Sequence, residues 1–199
     1  VFMIWQQVAT HVAASVLLAV NSMRHYNHLD LIIENVRSGT LASAKEIRSE
    51  YRFLQQAVQE TERLWKIWLL LAVVFDGLSA AFFAWASLYL LSRGGYLGGL
   101  SNLLCLFLST FCIASQVWPL ASWNDVVSMA PSQIELDDEN RDGALVLIHL
   151  LTSQPCQLKV AGVKALTKRG VAKMAFTALV SPAIASGLHW ALVEALPTK

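Results

Sequence analysis

Four long apolar stretches alternate with charged stretches along the chain. The apolar stretches are residues 1–24, 65–91, 96–121 and 171–192. Each is close to or above the roughly 20 helical residues that cross the hydrocarbon core of a bilayer. A short glycine-containing turn joins the second stretch to the third, as in a tight helical hairpin. The pattern therefore predicts an all-α, polytopic membrane protein with four transmembrane helices and long cytoplasmic helical extensions.

The charged stretch between the first two spans, residues 25–64, contains an apolar stripe of helical spacing. Its apolar positions recur every three or four residues, at Ile47, Tyr51, Leu54 and Val58. This spacing is typical of one face of an amphipathic helix. Such a face needs a partner, which is either the chain's own cytoplasmic segments or a neighbouring subunit. The sequence leaves both alternatives open, so the four residues are candidate subunit contacts.

The stretch before the last span, residues 122–170, is predicted to combine an acidic loop with short anchor helices beside the membrane. Residues 124–142 hold six acidic residues against one arginine, which is typical of a mobile or externally paired segment. Residues 144–151 are apolar but too short to cross a bilayer. Pro155 is expected to end this apolar helix, because proline disfavours helical backbone in the residue before it.

The composition excludes several classes of protein. Of the 199 residues, 55% are hydrophobic and 15% are charged, whereas about a quarter of the residues of a soluble domain are charged. A net charge of +1 gives no basic footprint for nucleic acid, so no nucleic-acid partner is expected. The first residues lack the basic region of a signal peptide, and we expect the chain to begin inside a larger protein.

The lysine and arginine residues orient the predicted spans. Thirteen of the 15 lie in the two long linkers or at their borders, and cationic residues concentrate in cytoplasmic loops. We therefore expect both linkers on the cytoplasmic side, and the hairpin turn and the C-terminus outside, in a multi-pass protein of the plasma membrane. Aromatic residues near the span ends suit the headgroup regions of the bilayer; they are Trp65, Trp68, Tyr96, Trp118, Trp123 and Trp190.

Cysteine and histidine residues give only weak signals of chemistry. The spacing of Cys105, Cys112 and Cys156 matches neither a zinc site nor a disulfide framework, so we expect them to pack as small apolar residues. His25 and His28 have a spacing that can ligate a metal, but solvation at the membrane edge is their expected role. The sequence contains no catalytic triad, phosphate loop or zinc-protease motif, so we expect no enzyme activity, cofactor or resident metal.

A partial calcium-loop pattern begins at Asp138. The later oxygen ligands and the glycine of such a loop follow at Asn140, Asp142 and Gly143. The twelfth position, however, is His149 instead of the bidentate glutamate. The alternative is capping of a short helix by Asn140 or Asp142.

Two polar residues fall inside predicted spans. Asp76 lies near the middle of the second span, where an acidic side chain costs several kcal/mol of insertion free energy and by default marks a functional position. The alternative is a purely structural hydrogen bond to a neighbouring helix. Gln116, in the third span, is a second candidate intramembrane polar position.

The last span is interrupted by Pro182, which removes a backbone hydrogen bond in its middle. Mostly small or weakly polar residues lie along one face of this span, at Thr177, Ser181, Ile184 or Ala185, and Leu188. Such a face either packs closely against another helix or lines a narrow pore formed by several subunits. The sequence does not choose between these two uses.

The order of these segments resembles the C-terminal half of the insect gustatory and odorant receptor superfamily and its gustatory-receptor-like relatives. The likeness includes residues 29–35, the long charged helix through Leu64, the helical hairpin, and the stretch at residues 150–162 before the last span. It covers essentially all 199 residues, as spans four to seven of an inverted seven-helix topology. The family's gustatory signature, Thr-Tyr followed after five residues by Gln-Phe, is not retained at residues 180–181 and 187–188.

The resemblance implies a function and a set of partners. Members of the superfamily are tetrameric ligand-gated cation channels, whose last half-span lines the pore and whose cytoplasmic helices contact neighbouring subunits. When the family's pore positions are carried over to this sequence, the hydrophobic constriction is expected at Ile184. Gly187 then stands where the family has a polar residue, one turn further out. The candidate pore and gate residues are then Thr177, Ser181, Ile184, Gly187 and Leu188. The expected partners are the lipid bilayer, a small-molecule ligand, cations, and further subunits in a homo- or hetero-tetramer.

Two other functions fit the same sequence. A secondary transporter would use Asp76 and the helix broken at Pro182 as an ion site, with pseudo-symmetry between its halves. A non-conducting membrane receptor or scaffold would use the same helices only for packing. Substrate-driven flux without channel currents distinguishes the first, and intact assembly without transport distinguishes the second.

Overall fold

The computed structural model describes residues 2–41, 43–136, 140–159, 166–177 and 180. The described residues form helices and connecting turns, without a strand, as the sequence predicts. The helices are α1 (Phe2–Arg37), α2 (Ala44–Ser92), α3 (Tyr96–Gln133) and α4 (Arg141–Ser153). A further helical stretch, here called the terminal helix, covers residues 168–177.

Among the described residues, two helices are long and apolar enough to cross a membrane, and they are α2 and α3. Their most apolar windows are only 11% and 17% buried. The core helix of a soluble protein would instead be mostly buried, since burial of apolar surface is what stabilises a soluble fold. These two helices contain the predicted second and third spans.

The first and the last predicted spans are not among these two helices. The first span lies in α1, which is one continuous helix of 36 residues but is not among the helices apolar enough to cross a membrane. The last span lies mostly outside the described residues. A count of four transmembrane helices therefore stays a prediction.

Helix α2 joins a predicted cytoplasmic helix to a predicted span without a break. It has 49 residues, which corresponds to about 70 Å at 1.5 Å per residue. The turn after it has the predicted hairpin form, and the amide of Gly95 donates to the carbonyl of Leu90 at 2.9 Å. Gly94 has a φ of 77°, a left-handed conformation that glycine adopts without steric cost.

The chain divides into two compact units. The first, here called the bundle unit, is Val1–Leu70 with Gln116–Lys168, and the second, the hairpin unit, is Leu71–Ser115 with Arg169–Lys199. The core of the bundle unit takes side chains from all four helices, including Leu29, Ile32, Ile47, Leu54, Val127, Ala130, Leu147 and Leu151.

The apolar stripe on α2 packs inside the bundle unit. Ile47, Tyr51 and Leu54 are 0% exposed and Val58 is 2% exposed in the single chain. Of the two alternatives for this stripe, the structure has packing against the chain's own segments. Their burial supports a role in internal packing, and a role of the four residues as subunit contacts stays a prediction.

Helix α3 extends further than the sequence predicted. It continues to Gln133 despite prolines at 119 and 131, so residues 124–133 are helical and not part of a mobile acidic loop. The reason is a second apolar stripe, because Leu120, Trp123, Val127 and Ala130 are all buried at helical spacing. Trp123, at 2% exposed, packs inside the bundle unit and not at the headgroup region where it was expected.

Helix α4 confirms the predicted short helix, with Ala144, Leu147 and Leu151 buried. Asn140 stands at its N-cap but makes no side-chain capping bond. Its Nδ2 atom instead donates to the carbonyl of Arg37 at 2.5 Å, so capping by Asn140 is corrected. Asp138, the first ligand of the calcium pattern, lies outside the described residues, and no cluster of three metal-ligating side chains occurs in the described part of the chain.

Candidate functional site: a clasp on the segment before the terminal helix

Three consecutive residues of α3 hold the segment that leads into the terminal helix. They are Trp123, Asn124 and Asp125, here called the α3 clasp. The segment that they hold runs from Gln154 to Lys168 and is described at residues 154–159 and 166–168. The described part before residue 168 is not helical, so its backbone groups need other hydrogen-bond partners.

Trp123 makes the first contact of the clasp. Its indole Nε1 donates to the carbonyl of Cys156 at 2.8 Å. Both residues are buried, and Cys156 is 5% exposed. Burial raises the pKa of the Cys156 thiol, so the thiol stays neutral and packs as a small apolar group, as the sequence predicted.

Asn124 makes the central contact. Its Nδ2 donates to the carbonyl of Leu158 at 2.9 Å and its Oδ1 accepts from the amide of Leu158 at 2.8 Å. The same Nδ2 donates to the carbonyl of Leu166 at 3.0 Å. Asn124 is 2% exposed, and both ends of its amide are used. One side chain thus binds the segment at two residues, Leu158 and Leu166, which are eight positions apart.

Asp125 makes the third contact, at the start of the terminal helix. Its Oδ2 accepts from the backbone amide of Lys168 at 3.1 Å, and residue 168 is the first helical residue. The first amides of a helix have no partner within the helix, and a carboxylate there is favoured by the helix dipole. Asp125 therefore caps the terminal helix from a different helix of the chain.

The other end of the segment is held by α2. The Tyr51 hydroxyl donates to the carbonyl of Gln154 at 2.7 Å, and Gln55 Nε2 donates to the same carbonyl at 2.9 Å. Burial, with the neighbouring Cys156 thiol, raises the pKa of Tyr51 far above its usual value. Tyr51 therefore keeps its proton and remains a donor.

His25 lies behind the clasp, in the core of the bundle unit. Its ring centroid is 5.7 Å from that of Trp123, and its Nε2 is 2.9 Å from Thr61 Oγ1. Since the Thr61 hydroxyl donates its only proton to the carbonyl of Ala57, it accepts from His25, which places the imidazole proton on Nε2. His25 is 7% exposed, so the expectation of solvation at the membrane edge is wrong for this residue.

The charge environment of His25 disfavours its protonated form. Burial lowers its pKa, and the charges of His28 and Arg24 lower it further. His28 itself lies against Glu50, with 3.6 Å between Nε2 and Oε2. The two histidines thus have separate partners, and the described residues do not bring them together as a metal site.

The two intramembrane polar residues are both buried. Gln116 is 1% exposed in the bundle unit, and its Nε2 contacts His11 Nδ1. The His11 ring lies 6.4 Å from that of Trp68. Asp76 is 1% exposed in the hairpin unit, so its carboxyl group does not face the surroundings of the protein.

Most of the predicted pore residues lie outside the described part of the chain, namely Ser181, Ile184, Gly187 and Leu188. Thr177 is described, and its hydroxyl donates to the carbonyl of Lys173 at 2.9 Å. This is a bond within the terminal helix. The pore face stays a prediction.

No family model, curated protein or solved structure matches the chain. The resemblance to the receptor superfamily therefore rests on the order of the segments in the sequence.

The sequence analysis missed the α3 clasp. The signal that could have found it is the run of Trp123, Asn124 and Asp125 directly after an apolar stretch, with an apolar stripe that continues through Val127 and Ala130. Such a stripe indicates that the helix goes on into a packed region. Polar residues on that helix then become candidates for buried hydrogen bonds.

Proposed function

We propose that the chain is part of a chemosensory-receptor-like, ligand-gated cation channel subunit, in which the last predicted span lines the pore. A small molecule acting on the membrane spans would open the channel, and cations would pass between several such subunits. The long linkers would lie in the cytoplasm and the C-terminus outside the cell.

The continuity of α2 and α3 supports this proposal. Each helix has an apolar window long enough for a bilayer, and each continues into the bundle unit, which begins or ends at Leu70 and Gln116. A helix without a break transmits a shift or rotation along its axis, as in other switching transitions. Movement of a span is thus expected to reach the bundle unit.

The observation that carries the proposal is the α3 clasp. Asn124 and Asp125 tie α3 to Leu158, Leu166 and Lys168, and Lys168 begins the helix that leads into the predicted pore span. In the proposed mechanism, the clasp couples movement of α3 to the base of the pore helix. A loss of these bonds would uncouple the ligand response from the gate.

The test compares two amide-to-acid changes on the same helix. In Asn124→Asp the Nδ2 donor is lost and a negative charge is placed beside the carbonyls of Leu158 and Leu166. Gln133→Glu makes the same chemical change at an exposed position of α3. We expect the first variant of the full-length protein to lose ligand-evoked current, recorded at equal surface expression, and the second to respond like the wild type. Equal responses from both variants would remove the clasp from the gating mechanism.

The buried carboxyl of Asp76 keeps the transporter as a second candidate function. An acidic group that is 1% exposed within a helix apolar enough to span a membrane suits an ion site. Substrate-driven uptake without channel currents, abolished by Asp76→Asn, would favour a transporter. Normal surface assembly without current or uptake would favour the non-conducting receptor or scaffold.

A further inference from the structure

A groove of about 230 Å³ lies between α2 and α4 in the bundle unit. Its polar lining includes Arg48, Arg52 and His149, together with Tyr51 and Gln55. None of the described residues that line it carries a carboxylate. The groove, here called the α2–α4 groove, therefore carries the positive charge and the donors of two guanidinium groups, with the His149 ring beside them.

The two arginines of the groove have no neutralising partner among the residues that the structure describes. They are four residues apart on one face of α2, where like charges repel each other. No acidic residue stands three or four positions from either of them. Among the described residues, neither guanidinium makes a hydrogen bond or an ion pair.

The nearby carboxylates of α2 are used elsewhere. Glu46 accepts from the amide of Ser43 at the start of the helix, and Glu50 lies 3.6 Å from His28. The described residues therefore leave the repulsion between Arg48 and Arg52 uncompensated, which suits a pair that meets an external anion.

The carbonyl groups at the C-terminal end of α4 do not explain why two arginines lie beside them. Its carbonyl groups would attract cations, but several already have donors of their own. The His149 carbonyl accepts from the Ser153 hydroxyl at 2.6 Å, and the Leu150 carbonyl accepts from the amide of Gln154 at 2.9 Å. The Gln154 carbonyl accepts from Tyr51 and Gln55.

We propose that the α2–α4 groove binds a soluble, phosphate-bearing solute through Arg48, Arg52 and His149. A guanidinium presents two parallel donors that match the oxygens of a phosphate group, and an imidazole adds another donor. The groove is smaller than the pockets that enclose drug-sized apolar ligands, but its donors suit a compact anion with several phosphate groups.

The position of the groove favours a soluble ligand over a lipid headgroup. Arg52 precedes the predicted span at residue 65 by 13 residues of the same helix, which is about 20 Å along the axis. The headgroup region adds only about 5–8 Å beyond the hydrocarbon core on each side, so a phosphoinositide headgroup is not expected to reach the groove. The inference does not depend on the proposed channel function, because the groove lies wholly within the bundle unit.

The test measures binding of inorganic tripolyphosphate, a compact anion with three phosphate groups, to the purified full chain in detergent by isothermal titration calorimetry. Arg48→Gln combined with Arg52→Gln removes two charges from the groove. Lys45→Gln combined with Arg63→Gln removes two charges from the same helix outside the groove. We expect saturable binding that weakens about 100-fold in the first double variant, since each charge-assisted contact contributes about tenfold, and is retained in the second.

Both arginines are exposed and make no bond to another described residue, so the first double variant is expected to keep the helical circular dichroism of the wild type. If this double variant unfolds, the single variant Arg52→Lys takes its place. It keeps the charge but loses the two parallel donors, so we expect it to bind the probe about tenfold more weakly. Absence of saturable binding, or an equal loss in the two double variants, would overturn the proposal. Binding to vesicles with phosphatidylinositol bisphosphate while the soluble probe stays inert would overturn the assignment to a soluble ligand.

Discussion

Asn124 and Leu158 exchange two hydrogen bonds, one in each direction, between a side-chain amide and a single backbone position. This relationship joins α3 to a segment 34 residues later in the chain. The same side chain also donates a hydrogen bond to the carbonyl of Leu166. A residue that satisfies two buried backbone groups and one partly buried group is difficult to replace, because each buried group left without a partner loses its hydrogen bond and stays desolvated.

The first prediction concerns the stability of the clasp. Asn124→Leu keeps the approximate volume of the side chain but removes all three hydrogen bonds, so we expect a loss of about 2–4 kcal/mol in the free energy of unfolding. Chemical denaturation in detergent, followed by circular dichroism, measures this change. Gln133→Leu, at an exposed position of the same helix, should shift the midpoint little, and a similar shift in both variants would contradict the structural role of Asn124.

The second prediction concerns pH. The pKa of His25 in the folded chain is lowered by burial and by the neighbouring His28 and Arg24, so the unfolded chain takes up the proton first as the pH falls. The stability that neutral His25 provides is therefore present above about pH 6.5, the ordinary value, and declines below it by at most about 1.4 kcal/mol per pH unit.

Denaturation midpoints between pH 7.5 and pH 5 test the pH prediction. His25→Gln, which keeps a donor for Thr61 and does not titrate, should show a smaller decline than the wild type. His149→Gln, at an exposed position, serves as the control and should follow the wild type. A decline of the same size in His25→Gln would assign the pH dependence to other groups.

The third prediction separates internal packing from subunit contact at Tyr51. Tyr51→Phe removes the bond to the Gln154 carbonyl but keeps the ring in the core. We expect a loss of about 1 kcal/mol in the free energy of unfolding, with the oligomeric state on size exclusion unchanged. Dissociation of an oligomer without a change in stability would instead return Tyr51 to a subunit interface.

The fourth prediction concerns the proposed gate. If Ile184 forms the hydrophobic constriction of a pore, Ile184→Ala should widen it and leak current without ligand, recorded from the full-length protein in a planar bilayer. Leu179→Ala, in the same span but off the predicted pore face, should stay closed. Unchanged closure of the Ile184 variant would remove this residue from the gate.

The fifth prediction concerns topology. Because cationic residues favour the cytoplasmic side, we expect cysteines placed at Lys45 and Lys164 to react with a membrane-impermeant thiol reagent only after the cells are permeabilised. A cysteine at Arg93, in the hairpin turn, should react in intact cells. Labelling of positions 45 and 164 from opposite sides would exclude the predicted arrangement of four spans.

The sequence by itself determined the all-α architecture, the helical hairpin and the amphipathic stripe on α2. These features follow from local periodicity, because the spacing of apolar residues fixes which face of a helix must be covered. It also located the short helix α4, since the apolar run and the proline after it are both local signals.

Only the tertiary structure decided what covers each face. The stripe at Ile47 and Tyr51 suits another subunit or the same chain equally well. In the structure Ile47 lies beside Gly143 of α4, and the Tyr51 hydroxyl donates to the carbonyl of Gln154, the residue after α4. Asn124 is polar and stands at the end of an apolar stretch, so its local sequence gives no sign that Leu158 and Leu166 lie beside it. Hydrogen bonds between distant residues depend on how the helices pack, and the spacing of residues along one helix does not contain that information.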